Sequence, residues 1–177
     1  MKPDGGIYIT LATQFALMSL FAIGGAVAAV PEMHRLAVEV KGWMTDQQFA
    51  DMFAIAQLTP GPNVIVVTLI GYHVAGLTGA AIATAAMCGP TCLLAYYVGG
   101  IWEKFKTARW RIVIQAGLVP ISIGLIAASA WVLTLAADHS AVAFVLTAIT
   151  VAVSYFTKFN PLWLFVGAAV LGMLGLV

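Results

Sequence analysis

Apolar residues run almost unbroken along this chain, and the few charged residues punctuate them. No Asp, Glu, Lys or Arg stands between Asp4 and Glu32, between Asp51 and Glu103, between Arg111 and Asp138, between Asp138 and Lys158, or beyond Lys158. A helix needs about 20 apolar residues to cross the hydrocarbon of a bilayer. Divided at their turn-forming residues, these runs predict six spans: Ile7–Val30, Phe49–Gly71, Gly79–Ile101, Ile112–Ala136, Ser140–Thr157 and Pro161–Val177, the last two short. Helix signals agree with the ends. Thr45-Asp46-Gln47-Gln48 reads as a capping box, with Thr45 as N-cap and Gln48 reaching back. Asn160-Pro161 reads as an N-cap followed by a first-turn proline. Trp43, Trp102, Trp110 and Trp163 fall near predicted ends, where amphipathic rings favour the membrane interface. The predicted fold class is all-α: a polytopic membrane protein with about six transmembrane helices, one transmembrane domain over residues 1–177.

Composition strengthens this reading. The chain is 62% apolar and 8% charged, against about 25% charged in soluble domains. Its net charge of +1 and lack of a basic tract point away from nucleic acid. The first thirty or so residues have the look of a signal peptide, but Asp4 and the length of the apolar run favour a retained first span. Six spans place Arg35, Lys41, Lys104, Lys106, Arg109, Arg111 and Lys158 on one side and only Lys2 on the other. Positive residues stay cytoplasmic, so both termini are expected outside, in a multi-pass protein of the inner (plasma) membrane, with the loop Glu103–Arg111 inside.

The second span carries Pro60-Gly61-Pro62 at its middle. Pro60 deprives the carbonyl of Ala56 of its helical partner, and Pro62 does the same to Leu58. Each unsatisfied backbone group costs several kcal/mol in hydrocarbon, so such a break persists only where protein, water or substrate satisfies it. The predicted result is two half-helices. The second starts near Asn63, its free amides at Asn63, Val64 and Ile65 carrying about half a positive charge and suiting an anion. Gln57, Thr59 and Asn63 add polar side chains at the same depth. Transporters build midplane sites this way. A re-entrant hairpin at this segment is the alternative; it would reverse the side on which Lys104–Arg111 falls.

Other features are weaker. Gly24-Gly25, Gly89-Pro90-Thr91, and Pro120 with Gly124 each read more readily as a kink or packing site than as a break. Gly24-Gly25 gains interest because Pro31-Glu32-Met33-His34-Arg35 follows. Glu32, His34, Arg35 and Glu39 form a cluster that reads as a gate or a set of ion pairs or, by default, a solvated face. His73, at the outer end of the second span, is a candidate for attracting an anion when protonated. Cys88 and Cys92 lie four apart on one helical face. They read as small packing residues rather than a metal or redox pair, since zinc sites usually take four ligands. With Gly76, Ala80 and Thr84 they form a stripe of small side chains that allows close helix contact, between two copies or within one chain. No nucleotide-binding loop, metalloprotease motif or Ser/His/Asp constellation at a credible spacing occurs. No enzyme activity, metal or cofactor is expected, and transport would run on a gradient or a partner.

Several of these stretches together resemble the chromate ion transporter family: Phe21-Ala22-Ile23-Gly24-Gly25, then Gly42-Trp43-Met44-Thr45, then Ala56-Gln57-Leu58-Thr59-Pro60-Gly61-Pro62, then Gly71-Tyr72-His73-Val74-Ala75-Gly76-Leu77-Thr78-Gly79. Gly89-Pro90-Thr91 looks like the family's later proline-polar step, and Gly117-Leu118-Val119-Pro120 with Gly124-Leu125 like its second-half pattern. The match covers roughly Phe15 to Ala136. Two positions depart from it: many members have proline where this chain has Ala26, and a basic residue where it has His73. The resemblance implies membrane transport of chromate, with sulfate as a look-alike. It also implies a short, single-unit chain acting as a homodimer or paired with a second short chain.

The expected function is therefore secondary transport of a tetrahedral oxyanion, held by Gly24, Gly25, Gln57, Thr59, Pro60, Gly61, Pro62, Asn63, Val64 and Ile65, with Glu32, His34, Arg35 and His73 as gate or anion attractors. An anion channel and a non-transporting subunit that needs a partner chain are the alternatives.

Overall fold

The computed structural model of the chain describes residues 5–22, 24–104, 108–138, 140–157 and 161–173. Every regular element among them is helical. They form two compact units, residues 1–132 and residues 133–177.

In the first unit, α1 (Gly5–Phe21) is about 26 Å long at 1.5 Å per residue. It buries Leu11, Phe15 and Met18 along the fourth helix. Tyr8 Oη and Thr78 Oγ1 lie 3.1 Å apart at one end of this contact, and Ser19 meets Thr91 at the other. The two helices are therefore parallel. Beyond α1 the chain bends by 119° and continues as a 3-10 turn (Ala26–Ala29), α2 (Val30–His34) and a π-helical turn (Arg35–Val40). This corrects the expectation of one continuous span over Ile7–Val30. Gly24 and Gly25 adopt φ of 105° and 94°, a region that residues with a Cβ rarely enter, and the helix cannot run through them. Ile23 lies outside the described residues.

Helix α3 (Asp46–Leu58) begins with the expected capping box. Gln48 N–H donates to Thr45 Oγ1 at 3.3 Å, and Thr45 N–H donates to Gln48 Oε1 at 2.9 Å. The helix stops at Leu58, and α4 (Ile65–Lys104) starts beyond the Pro-Gly-Pro segment. Inside α4, Ala75 (φ −145°, ψ 25°) and Gly76 (φ 65°, ψ −155°) leave helical geometry, and the chain reverses there. Thr68 and Thr84 face each other with hydroxyl oxygens 2.7 Å apart. A Cβ built on Gly71 would lie 2.5 Å from the Gly79 carbonyl oxygen and 2.7 Å from Ala83 Cβ. Helix α4 is thus a hairpin of a short limb, 65–74, and a long limb, 77–104. The short limb is about 15 Å long and the long one about 42 Å, against about 30 Å of hydrocarbon.

The small-residue stripe now has a use. Ala80 is buried and Thr84 bonds to Thr68, so this part of the stripe receives the chain's own short limb. Of the two uses expected for the stripe, contact within one chain is the one seen at Ala80 and Thr84, and Gly76 lies in the reversal rather than on a helical face.

Helix α5 (Arg109–Ala137) follows residues 105–107, which lie outside the described set together with the expected basic Lys106. Arg111 Nη1 donates to the Trp102 carbonyl at 3.3 Å, and its guanidinium carbon sits 5.2 Å from the centre of the Trp102 ring. Trp110 meets the same ring edge-on at 6.0 Å. Along α5, Ile112, Val113, Ile121 and Ile123 are exposed on several sides of the helix, a surface suited to lipid chains rather than water.

In the second unit, α6 (Ala141–Phe156) is capped by Ser140, whose hydroxyl accepts from Ala143 N–H at 3.1 Å, and α7 (Pro161–Met173) opens on proline as expected. Lys158, Asn160 and residues 174–177 lie outside the described residues. Among the described residues, α4 and α5 are long and apolar enough to cross a membrane, and a third crossing results if α1 and the segment bent away from it count as one.

The close approach at the hairpin gives a test. Gly71→Ala forces a methyl group against backbone and should destabilise the protein by about 1–3 kcal/mol. Gly89→Ala, where an added Cβ meets nothing within 4 Å, should leave stability unchanged or raise it by about 0.5–1 kcal/mol. Thermal unfolding of both variants in mild detergent checks the contrast.

Candidate functional site

The site is built from two interruptions of helix. The first follows α1. Gly25 N–H donates to Ala22 O at 3.1 Å, and Ala28 N–H to Gly25 O at 3.1 Å, so the chain turns tightly before α2. Neighbouring helices take up the freed backbone groups. Thr91 Oγ1 donates to the Ser19 carbonyl at 2.9 Å, near the C-terminus of α1, where carbonyls have no helical partner. Ser129, only 1% exposed, sets its hydroxyl 2.6 Å from the Val27 carbonyl and 2.8 Å from that of Leu125. The Val27 carbonyl also accepts from Val30 N–H in the 3-10 turn, so the serine is its second donor; an α-helical donor from residue 31 is excluded because that residue is proline. Gly24 sits against Ser122, where an added Cβ would lie 3.1 Å from the serine Cβ.

The second interruption is the Pro-Gly-Pro segment. Thr59 Oγ1 donates to the Ile55 carbonyl at 2.9 Å. Its single proton is therefore committed, and its expected place in an anion's shell is not free. Ile65 N–H donates to Pro62 O at 3.1 Å, which corrects the expectation that this amide is open. The amides of Asn63 and Val64 make no hydrogen bond among the described residues.

The two interruptions meet at one cavity. Ala22, Gly25 and Ala26 line it from the first break, Val64 from the second, and Met87, Cys88, Thr91 and Cys92 from the long limb of α4. Its volume is about 240 Å³, some eight water volumes at about 30 Å³ each. That is room for a small polyatomic anion with residual water, and less than a drug-sized ligand takes. Of the predicted site residues, Gly25 and Val64 line the cavity and Gly24 adjoins it. Gln57, Thr59, Pro60, Gly61, Pro62 and Asn63 are exposed and are not part of its lining. His73 is exposed near the reversal, at the end of the short limb away from Val64. Met87, Cys88, Thr91 and Cys92 were not predicted as lining. Their signal is a one-face spacing of Cys88, Thr91 and Cys92, which reads equally well as packing until the breaks are seen opposite them.

The charged segment between the breaks is bonded rather than free. Arg35 Nε donates to Glu32 Oε2 at 2.8 Å, and Arg35 Nη2 to Glu32 Oε1 at 2.5 Å. Glu32, Arg35 and Glu39 are exposed, as a solvated face requires, and His34, 9% exposed, departs from that expectation. Its Nε2 lies 2.7 Å from Asp46 Oδ1 and its Nδ1 3.7 Å from Glu39 Oε1. The Phe49 ring stands edge-on to it at 5.1 Å.

The sequence pattern of the chromate transporter family matches residues 9–173, which takes in both breaks and the long limb between them. The chain belongs to the chromate transporter family. It is an integral membrane protein, and its family is one of transporters. Relatives agree. A chromate transport protein of Cupriavidus metallidurans is 33% identical over 160 residues, 90% of this chain and 40% of the relative. A probable chromate transport protein of Synechococcus elongatus is 38% identical over 94 residues, 53% of this chain and 24% of that protein. An uncharacterised transporter of Methanocaldococcus jannaschii is 30% identical over 165 residues, 93% of this chain and 40% of that one. The chain thus spans about two-fifths of the length of the Cupriavidus and Methanocaldococcus proteins. No solved structure matches it.

The cap between helices is testable in this transporter-family chain. Thr91→Val keeps the shape and removes the donor to the Ser19 carbonyl. The variant should lose about 1–3 kcal/mol, the cost of leaving a buried acceptor unsatisfied. Thr91→Ser, which restores the hydroxyl, should recover most of the loss in the same unfolding measurement.

Proposed function

We propose that this chain is a secondary transporter of a tetrahedral oxyanion, chromate foremost with sulfate as its look-alike, and that the anion binds where the two helix breaks meet. The observation that carries this reading is the shared cavity. One cavity of about 240 Å³ is lined by Gly25 from the first break and by Val64 from the second. The short limb of α4 begins at the residue after Val64. Its N-terminal end carries about half a positive charge, and the Val64 amide, with that of Asn63 next to the lining, supplies donors. Cys88 and Cys92 add weak S–H donors. A buried dianion is costly in a low dielectric, and no Lys or Arg occurs between Asp51 and Glu103. Backbone dipoles therefore have to carry the charge. Relatives named as chromate transport proteins in Cupriavidus metallidurans and Pseudomonas aeruginosa support chromate as the first anion to try.

The chain's length relative to its curated relatives supports a second unit completing the transporter: another copy of this chain or a second short chain. The excess of basic residues in the predicted inner loops supports a plasma-membrane protein with both termini outside. Reconstituted in liposomes, the chain should show uptake that saturates with chromate. A current proportional to voltage would make it a channel, and neither activity would make it a subunit awaiting its mate.

Replacing Pro60, Gly61 and Pro62 together by Ala should let the helix close across the break, bond the amides of Asn63 and Val64 internally and abolish oxyanion binding, with helix content intact by circular dichroism. Gly25→Val, which puts a side chain at the opposite wall, should likewise weaken binding at least tenfold. Calorimetry with chromate, sulfate and phosphate side by side reads both. Undiminished binding by the triple variant would move the site elsewhere.

A further inference from the structure

The geometry points to a sodium-binding site at Asp138, in the second unit. Asp138 is the one acidic residue of residues 133–177, and no Lys or Arg occurs from 112 to 157. Its neighbour His139 lies outside the described residues. Thr147 Oγ1 donates to Asp138 Oδ1 at 3.3 Å. Asp138 Oδ2 is buried and has no hydrogen-bond partner, the one buried side-chain nitrogen or oxygen so placed among the described residues. A carboxylate offers about four lone-pair sites, and one hydroxyl at 3.3 Å does not meet them. Taking such a group out of water without its partners is strongly destabilising, and what compensates it is a cation.

The groups around the carboxylate are oxygens. Helix α5 ends at Ala137, and Asp138 N–H still donates to the Thr134 carbonyl at 2.8 Å. The side chain thus stands at the C-terminal end of a helix, where about half a negative charge gathers. The carbonyls of Ala136 and Ala137 accept no hydrogen bond among the described residues. The Thr147 hydroxyl spends its proton on Asp138 and keeps its lone pairs. Thr147 also lines a cavity of about 300 Å³, together with Thr150 and Ser154 of α6 and Leu164 and Ala168 of α7. That is some ten water volumes at about 30 Å³ each, space for a small cation with part of its water. The donor set selects the ion. Carboxylate, hydroxyl and carbonyl oxygens suit hard cations, and copper prefers sulfur or imidazole nitrogen. Calcium sites gather several carboxylates, whereas a single one balances a monovalent ion. Membrane transporters hold sodium on carbonyls at the C-terminal ends of helices.

Thermal unfolding of the full chain in mild detergent tests this, in sodium chloride against choline chloride at equal ionic strength. Sodium binding to the folded state should raise the wild-type midpoint by about 2–4 °C. Asp138→Asn keeps the shape and an acceptor for Thr147 but carries no charge. It should melt at the same temperature in both salts, at or above the wild type in choline. Thr147→Val should need severalfold more sodium to reach half of the wild-type shift. The sodium NMR line should broaden with wild-type protein and not with Asp138→Asn. A wild-type midpoint indifferent to sodium, an equal sodium shift in Asp138→Asn, or a Thr147→Val variant with the wild-type sodium dependence overturns the inference. So does a wild-type shift that acidification in choline chloride reproduces in full, since a protonated carboxyl would then be the stabilised form. The readout is melting and not anion uptake, so each of these results leaves the transport reading standing.

Discussion

A backbone polar group in hydrocarbon has to find a partner, and the first unit of this structure is arranged around that requirement. A continuous helix meets it for every residue but the last turn at each end. Inside its apolar runs the first unit departs from continuous helix after Phe21, after Leu58 and at Ala75-Gly76. Each of these departures has a visible response. Thr91 takes the Ser19 carbonyl and Ser129 reaches the Val27 carbonyl, Thr59 turns back to the carbonyl of Ile55, and Thr78 to that of Ala75. Hydroxyl groups suit the task because they bring one donor at little volume and no charge. What stands out against this pattern is the pair of amides at Asn63 and Val64, which no protein group takes up among the described residues. In hydrocarbon an amide left without a partner costs several kcal/mol.

The hairpin in α4 makes this arrangement possible by geometry. The short limb is about half the thickness of the hydrocarbon, and its far end reaches the reversal beside α1. Only glycine and alanine let the limbs come so close. Gly71 and Gly79 touch through their backbones, and Ala83 packs beside them. Close packing of small residues replaces the hydrophobic effect as the force between helices where lipid tails are as apolar as the side chains. The Thr68–Thr84 bond then fixes the register of the limbs, and with it the level at which Val64 meets Met87 and Cys88.

Much of this was legible in the sequence, and the missing parts share a cause. The helical class, the capping box at Thr45, the stop at Leu58 and the first-turn proline of α7 all follow from local rules about backbone donors and apolar runs. The small-residue stripe was visible too, but its partner was not, because small residues signal closeness without saying to what. The break at Gly24-Gly25 was underrated for a similar reason. A glycine pair permits a turn without requiring one, and what commits the chain here is Pro31 ahead of it and Ser122 and Ser129 far along the sequence. Thr91, Met87 and the two cysteines entered the cavity lining unannounced because parallel packing of α1 on the long limb of α4 puts them opposite the breaks, a long-range fact with no local signature. Conversely, Gln57 and Thr59 were polar residues at the right depth that face elsewhere or bond to their own helix.

The distribution of charge completes the physical account. The cavity has no ionisable side chain that is charged at neutral pH in its lining; it offers amides, thiols and a thioether. A lysine or arginine there would hold a dianion too well to release it, besides costing several kcal/mol to bury. Fixed dipoles of about half a charge bind less tightly and do not titrate. The acidic residues Glu32, Glu39 and Asp46 and their partners His34 and Arg35 are gathered on the segment that joins the two breaks.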